Sequence, residues 1–102
     1  NEELNEIVFE KVAQEQRKYR EKLLSCDPTE ILSRAYEYSL REDIILIFEE
    51  CITLTDKQCR ALLATDDVIG KVFRKFNQVE SPYMETLSDT IRNTANQLVR
   101  AI

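Results

Sequence analysis

One glycine and two prolines, Gly70, Pro28 and Pro82, are the only such residues among the 102 in the chain. Strands paired through tight turns draw on both residue types, so a chain this poor in them is steered away from sheets. Ala, Leu, Glu, Lys, Arg and Gln are abundant instead, and these favour helices. A charged fraction of 32% would suit disorder, but the apolar residues recur at spacings of three and four, which a packed helix requires. The expected fold is all-α: a compact bundle of about five helices in a single domain, residues 1–102, with long first and second helices.

The first helix is expected over Glu2–Leu24. Leu4, Ile7, Val8 and Val12 open an apolar stripe that Tyr19 and Leu23 continue across a more polar middle. Glu2, Glu3 and Glu6 suit its amino end, and Arg17, Lys18, Arg20 and Lys22 its carboxyl end. Asp27-Pro28-Thr29-Glu30 then reads as a helix start: Asp27 as cap, Pro28 at the first position and Glu30 returning the bond in a capping box.

The second helix is expected over Pro28–Cys51. Ile44–Phe48 is rich in β-branched residues but has no strand partner, and its apolar character all round predicts the most buried element of the fold. At 1.5 Å per residue, the two opening helices would each reach about 35 Å and project from a compact body.

Thr55 and Gln58 form a second capping box ahead of a short helix carrying Cys59, Leu62 and Leu63. Asp66 or Asp67 caps the next, which carries Val68, Ile69, Val72, Phe73 and Phe76 around Gly70. That glycine either permits a close crossing or is simply tolerated. After a polar break at Asn77–Glu80, Ser81-Pro82 repeats the cap-then-proline arrangement. The last helix then presents Met84, Leu87, Ile91, Ala95, Leu98 and Ile102, a stripe fit to lie along another helix. The missing initiator Met, and apolar positions running to the final residue, fit a module taken from a longer protein.

Histidine is absent, which removes Ser–His–Asp and Cys–His chemistry and most zinc sites. Cys26, Cys51 and Cys59 are odd in number and lack a CxxC spacing, so reduced structural thiols in a cytoplasmic setting are the expectation. The longest apolar run, Ile44–Phe48, is far too short to cross a bilayer. A net charge of −5 opposes general attraction to nucleic acid or anionic lipid. Two basic groups, Arg17–Lys22 and Lys71–Lys75, would meet phosphate or an acidic protein if the fold brought them together, but the interleaved Tyr19 and Phe73 align better with the core stripes than with a nucleic-acid surface.

The expectation is therefore no catalytic, cofactor-binding or metal site, and a chain that is not an enzyme. Its candidate interaction residues are Tyr36, Tyr38, Phe73 and Tyr83 as aromatic anchors, and Glu42, Asp43, Glu49 and Glu50 as an acidic ridge. Pro28–Cys51 carries six acidic and two basic residues, a local balance of 2 − 6 = −4.

Four stretches, NEELNEIVFEKV at Asn1–Val12, REDIILIFEE at Arg41–Glu50, ALLATDD at Ala61–Asp67 and SPYMETLSDTI at Ser81–Ile91, carry a resemblance across essentially the whole chain. Together they resemble the bacterial family known as domain of unknown function 3848, found in gut Firmicutes and their phages or mobile elements. The resemblance implies a helical accessory module of a mobile-element protein and brings no catalytic residues with it. The leading expectation is a non-catalytic protein–protein interaction module with a protein partner or a homodimer. An acidic inhibitor or regulator of nucleic-acid machinery is the first alternative. A small-ligand binder, or an enzyme without histidine chemistry, is the second.

Overall fold

The computed structural model describes residues 1–78 and 83–101. Among them are six α-helices: α1 (Glu2–Leu24), α2 (Pro28–Ser33), α3 (Ala35–Leu46), α4 (Asp56–Leu63), α5 (Val68–Gln78) and α6 (Tyr83–Arg100). A five-residue π-helical turn, Ile47–Cys51, prolongs α3. The helix start expected at Ser81-Pro82, and the final apolar position Ile102, lie outside the described residues. Asn77 and Gln78, expected in a polar break, complete α5.

The expected α1 forms as written. Asn1 caps it, accepting from the backbone N–H groups of Glu3 at 2.8 Å and Leu4 at 3.3 Å. Asp27 caps α2 through the Glu30 N–H at 3.0 Å, with Pro28 in the first turn. The capping box is only half made there, because the Glu30 carboxylate pairs with Arg34 instead. At α4 the box is complete: Thr55 Oγ1 accepts from the Gln58 N–H, and the Gln58 side chain accepts from the Thr55 N–H.

The second helix is not the long one its pattern suggests. It breaks at Arg34, whose φ of −105° and ψ of 4° leave the helical region, so α2 has only 6 residues and α3 has 12. No Gly or Pro stands at the break. Tertiary packing sets it, since α2 buries no residue whereas α3 must turn to lie against both α1 and α5. With α1 at 23 residues and α6 next at 18, the chain does not build a pair of long opening helices.

The core sits where α1, α3 and α5 meet. Val12, Ile44, Val68 and Ile69 form its centre, with Leu40, Ile45, Phe48, Leu62, Val72 and Phe73 packed around them. Val8 and Cys59 are also fully enclosed, and α1 packs closely on α4. The region expected to be most buried is not. Ile44 is enclosed, but Leu46 and Ile47 are 50% and 46% exposed. An element apolar all round can bury only the side its neighbours cover, and α1 and α5 cover one side.

The molecule is elongated, 59 × 35 × 22 Å, with a radius of gyration of 18.3 Å against about 13 Å for a compact domain of this length. The departure comes from α6, which makes no substantial packing contact with another element among the described residues. The opening helices were expected to project; it is the last one that does.

Candidate functional site

Two sets of side chains stand out, a buried polar hub inside the body and the apolar face of α6. The hub begins with Arg41 on α3, only 3% exposed. A charge so enclosed needs every donor occupied. Its Nε donates to Gln16 Oε1 at 2.9 Å, and its terminal nitrogens reach Glu37 and Asp67, both at 3.4 Å. The guanidinium also lies 4.0 Å over the Tyr19 ring, a cation–π arrangement. Gln16, buried on α1, donates in turn to Glu42 Oε1 at 3.1 Å.

The hub ends on the amino terminus of α5. Asp67, at a left-handed φ of 50°, turns its carboxylate back to accept the Gly70 N–H at 3.2 Å. Glu15 reaches across from α1 to accept the Ile69 N–H at 3.0 Å, while Lys11 pairs with Glu15 and donates to the Thr65 carbonyl. Two carboxylates thus satisfy orphan N–H groups at the positive end of the α5 dipole. A Cβ on Gly70 would fall 2.0 Å from Asp67 Oδ2, so the glycine makes room for the cap rather than for a helix crossing.

Tyr19 is half-buried, and its hydroxyl finds no hydrogen-bond partner. Burial raises its pKa and the Glu37 charge adds to the rise, against the opposing pull of Arg34 and Arg41. Arg34 approaches the hydroxyl without a hydrogen bond of sound geometry.

Beside the hub runs an open groove of about 660 Å³. Lys11, Lys18, Lys22 and Arg41 line it against Glu10, Glu15, Asp66 and Asp67. Four cations against four carboxylates give no field that selects an anionic or a cationic ligand. Neither Glu42, Asp43 nor Tyr36 lines it. Among the described residues no cluster of three His, Cys, Asp or Glu is arranged to hold a metal. Cys59 is buried, Cys26 half-buried and Cys51 exposed, all as free thiols.

The candidate residues read from the sequence separate into three places. Tyr36, exposed, meets the half-buried Phe73 edge-on at 6.3 Å between ring centroids. Tyr38 is half-buried and lines a groove with Leu23, Leu24 and Ile31. Of the acidic ridge, Glu42 accepts from Gln16 while staying exposed; nearby, Glu30 pairs with Arg34 and Glu37 with Arg41. Asp43, Glu49 and Glu50 are exposed as well. Tyr83 opens α6 and is exposed.

On α6 the sequence-predicted stripe is open. Met84 is 73% exposed, Ile91 67% and Leu98 63%. Among the described residues, fourteen large apolar side chains stand exposed and seven apolar side chains lie buried, and five of the fourteen are Met84, Leu87, Ile91, Leu98 and Val99 of α6. No helix there is long and apolar enough to cross a membrane. Arg41 and Gln16 were not expected as central residues. The available signal was Gln16 itself, a polar residue standing on the α1 stripe between Val12 and Tyr19.

A family model described as protein of unknown function (DUF3848) matches residues 4–99, nearly the whole chain, and the chain belongs to that family. No curated protein and no solved structure matches it.

Proposed function

We propose that this member of the DUF3848 family is a non-catalytic protein–protein interaction module, with the apolar face of α6 as its contact surface. One observation carries the reading: Met84, Leu87, Ile91 and Leu98 form a continuous exposed stripe on a helix that, among the described residues, makes no substantial packing contact with the body. An exposed contiguous apolar face on a helix is the signature of a partner-binding surface. The buried Arg41 hub is satisfied by the chain's own residues, which gives it a structural task. The family resemblance adds the setting, an accessory module of a bacterial or phage mobile element.

The alternative of an acidic inhibitor of nucleic-acid machinery has fewer unpaired charges than its sequence suggests, since Glu37 pairs with Arg41 and the exposed Glu42 accepts from Gln16. The test is site-specific photo-crosslinking in a native host cell, with the reactive residue at Ile91 and, for comparison, at Asp43. The module reading expects a protein adduct from position 91, which includes an adduct to another copy of the chain. An adduct only from position 43 would favour the acidic-ridge alternative, and none from position 91 would refute the module reading.

A further inference from the structure

Between the first turns of α1 and the π-helical turn that prolongs α3 runs an open groove of about 430 Å³. Phe9, Phe48 and Ile52 give it an apolar lining, and among the described residues Glu2, Glu6 and Glu49 are the only charged ones that line it. The two rings are half-buried and the three carboxylates exposed. None of the three pairs with a cation among the described residues. The walls are tied together by Asn5, whose side chain donates to the Leu54 carbonyl at 3.0 Å and accepts the Leu54 N–H at 2.9 Å. That pair of bonds holds the connector after the π-helical turn against α1.

Helix stability accounts for one of these acids and not for the others. Glu2 stands in the first turn of α1, where the helix dipole favours it. Glu6 lies beyond that turn, where the dipole has faded. Glu49, with Glu50 beside it, stands where the dipole opposes a carboxylate, at the carboxyl end of the run that α3 and its π-helical turn form. No basic residue stands in the last turn of either segment. The final carbonyls there also lack a backbone cap, because the amides that follow turn elsewhere. Ile52 donates back to Ile47, Leu54 to Asn5 and Thr55 to Gln58, and Thr53 donates to nothing among the described residues. The groove thus ends at a helix terminus that favours a cation and holds two acids instead.

A cation from outside the chain offsets this arrangement, and the apolar lining asks for one with a stem. Arginine meets both demands: its stem covers apolar surface, its guanidinium stacks on aromatic rings, and its fork bonds carboxylates in pairs. A bare metal ion does not, since no three acidic or thiol groups among the described residues are arranged to hold one. We infer that this groove docks an arginine-bearing basic segment of a partner protein, with the guanidinium between Glu6 and Glu49 and its stem across Phe9 and Phe48. The site shares no residue with α6, so the two surfaces stand or fall separately. The net charge of −5 draws a basic partner in from a distance, while the groove fixes where its cation sits.

Titration of the whole isotope-labelled chain with a short peptide of arginines spaced by glycines, followed through backbone amide shifts, tests it. The shifts are expected at Glu6, Phe9, Glu49 and Thr53. The same peptide with citrulline for arginine, alike in shape but uncharged, should bind about tenfold more weakly or worse. Glu6→Gln with Glu49→Gln should weaken the arginine peptide about tenfold, whereas Asp43→Asn with Glu85→Gln, an equal loss of charge elsewhere, should weaken it less than about twofold. Glu49→Gln alone should also raise the urea midpoint, since it relieves a carboxylate at the unfavourable end of a helix. Equal weakening by the two pairs of substitutions would reduce the binding to overall charge and overturn the site. Shifts centred elsewhere, equal binding of the citrulline peptide, or no shifts at all would overturn it too. A lowered urea midpoint in Glu49→Gln would give that carboxylate a task in the fold and overturn its assignment to a partner. None of these outcomes touches the photo-crosslink at position 91, which tests α6 alone.

Discussion

Arg41 is charged and almost wholly enclosed, so its removal reaches further than that of any surface charge. Arg41→Met keeps a long apolar stem but leaves Gln16 Oε1 without its donor, Asp67 with only the Gly70 N–H, and Tyr19 without its cation. The expected loss is about 2–3 kcal/mol, read as a lower urea midpoint at unchanged slope. Arg41→Lys should recover only part of it, because one ammonium cannot span Gln16, Glu37 and Asp67 together. Tyr19→Phe tests the other side of the same contact. The ring stays under Arg41 and an unpartnered hydroxyl is removed, so stability near neutral pH should hold or rise slightly. Because burial lifts the Tyr19 pKa above its value in the unfolded chain, the unfolded state loses that proton first as pH climbs past 10. The parent should therefore lose stability above that point, and Tyr19→Phe should lose less, in melts run from pH 8 to 11. Single residues were legible where chemistry is local, as at Asp27, Thr55 and Gln58. The hub was not, because Gln16 and Arg41 lie 25 positions apart and each alone looks like a solvated polar residue.

At the scale of the elements, caps decided more than propensity did. The start of α5 turns on a steric conflict between Asp67 and any Cβ at position 70. Gly70→Ala adds about 1 kcal/mol of helix propensity but drives the Asp67 carboxylate off the α5 terminus and away from Arg41. The net expectation is a loss of about 1 kcal/mol. Asp67→Gly removes that carboxylate and fits the left-handed φ, so in its background Gly70→Ala should stabilise instead, and urea titration of the four variants reads the change of sign. The sequence located the starts of α2, α4 and α5 because Asp27, Thr55 and the Asp66-Asp67 pair are chemically suited to caps, whereas the Asn1 cap of α1 emerged only from the structure. It concealed the break at Arg34, where no Gly or Pro marks the site and packing of α3 on α1 and α5 prevails over a continuous stripe. It also overstated the burial of Ile44–Phe48, since periodicity reports which residues are apolar and not how many neighbours arrive to cover them.

Among the described residues, five α-helices form a small body and a sixth leaves it. Seven buried apolar side chains give the body a core, while the α6 stripe contributes nothing to it. Ending the chain after Gln78 should thus leave a folded body whose circular dichroism falls only by the helix removed. The stripe itself was plain in the sequence from Met84 to Leu98; that it would face outward was not, because an amphipathic pattern looks the same whether its partner lies in the same chain or another. Hydrogen exchange of the α6 amides in the dilute chain separates these two cases most directly. A partner in another chain predicts weak protection over residues 83–100 beside strong protection in α1 and α5. Protection of α6 as high as that of α1 would mean that the helix folds onto its own body, and would contradict the account.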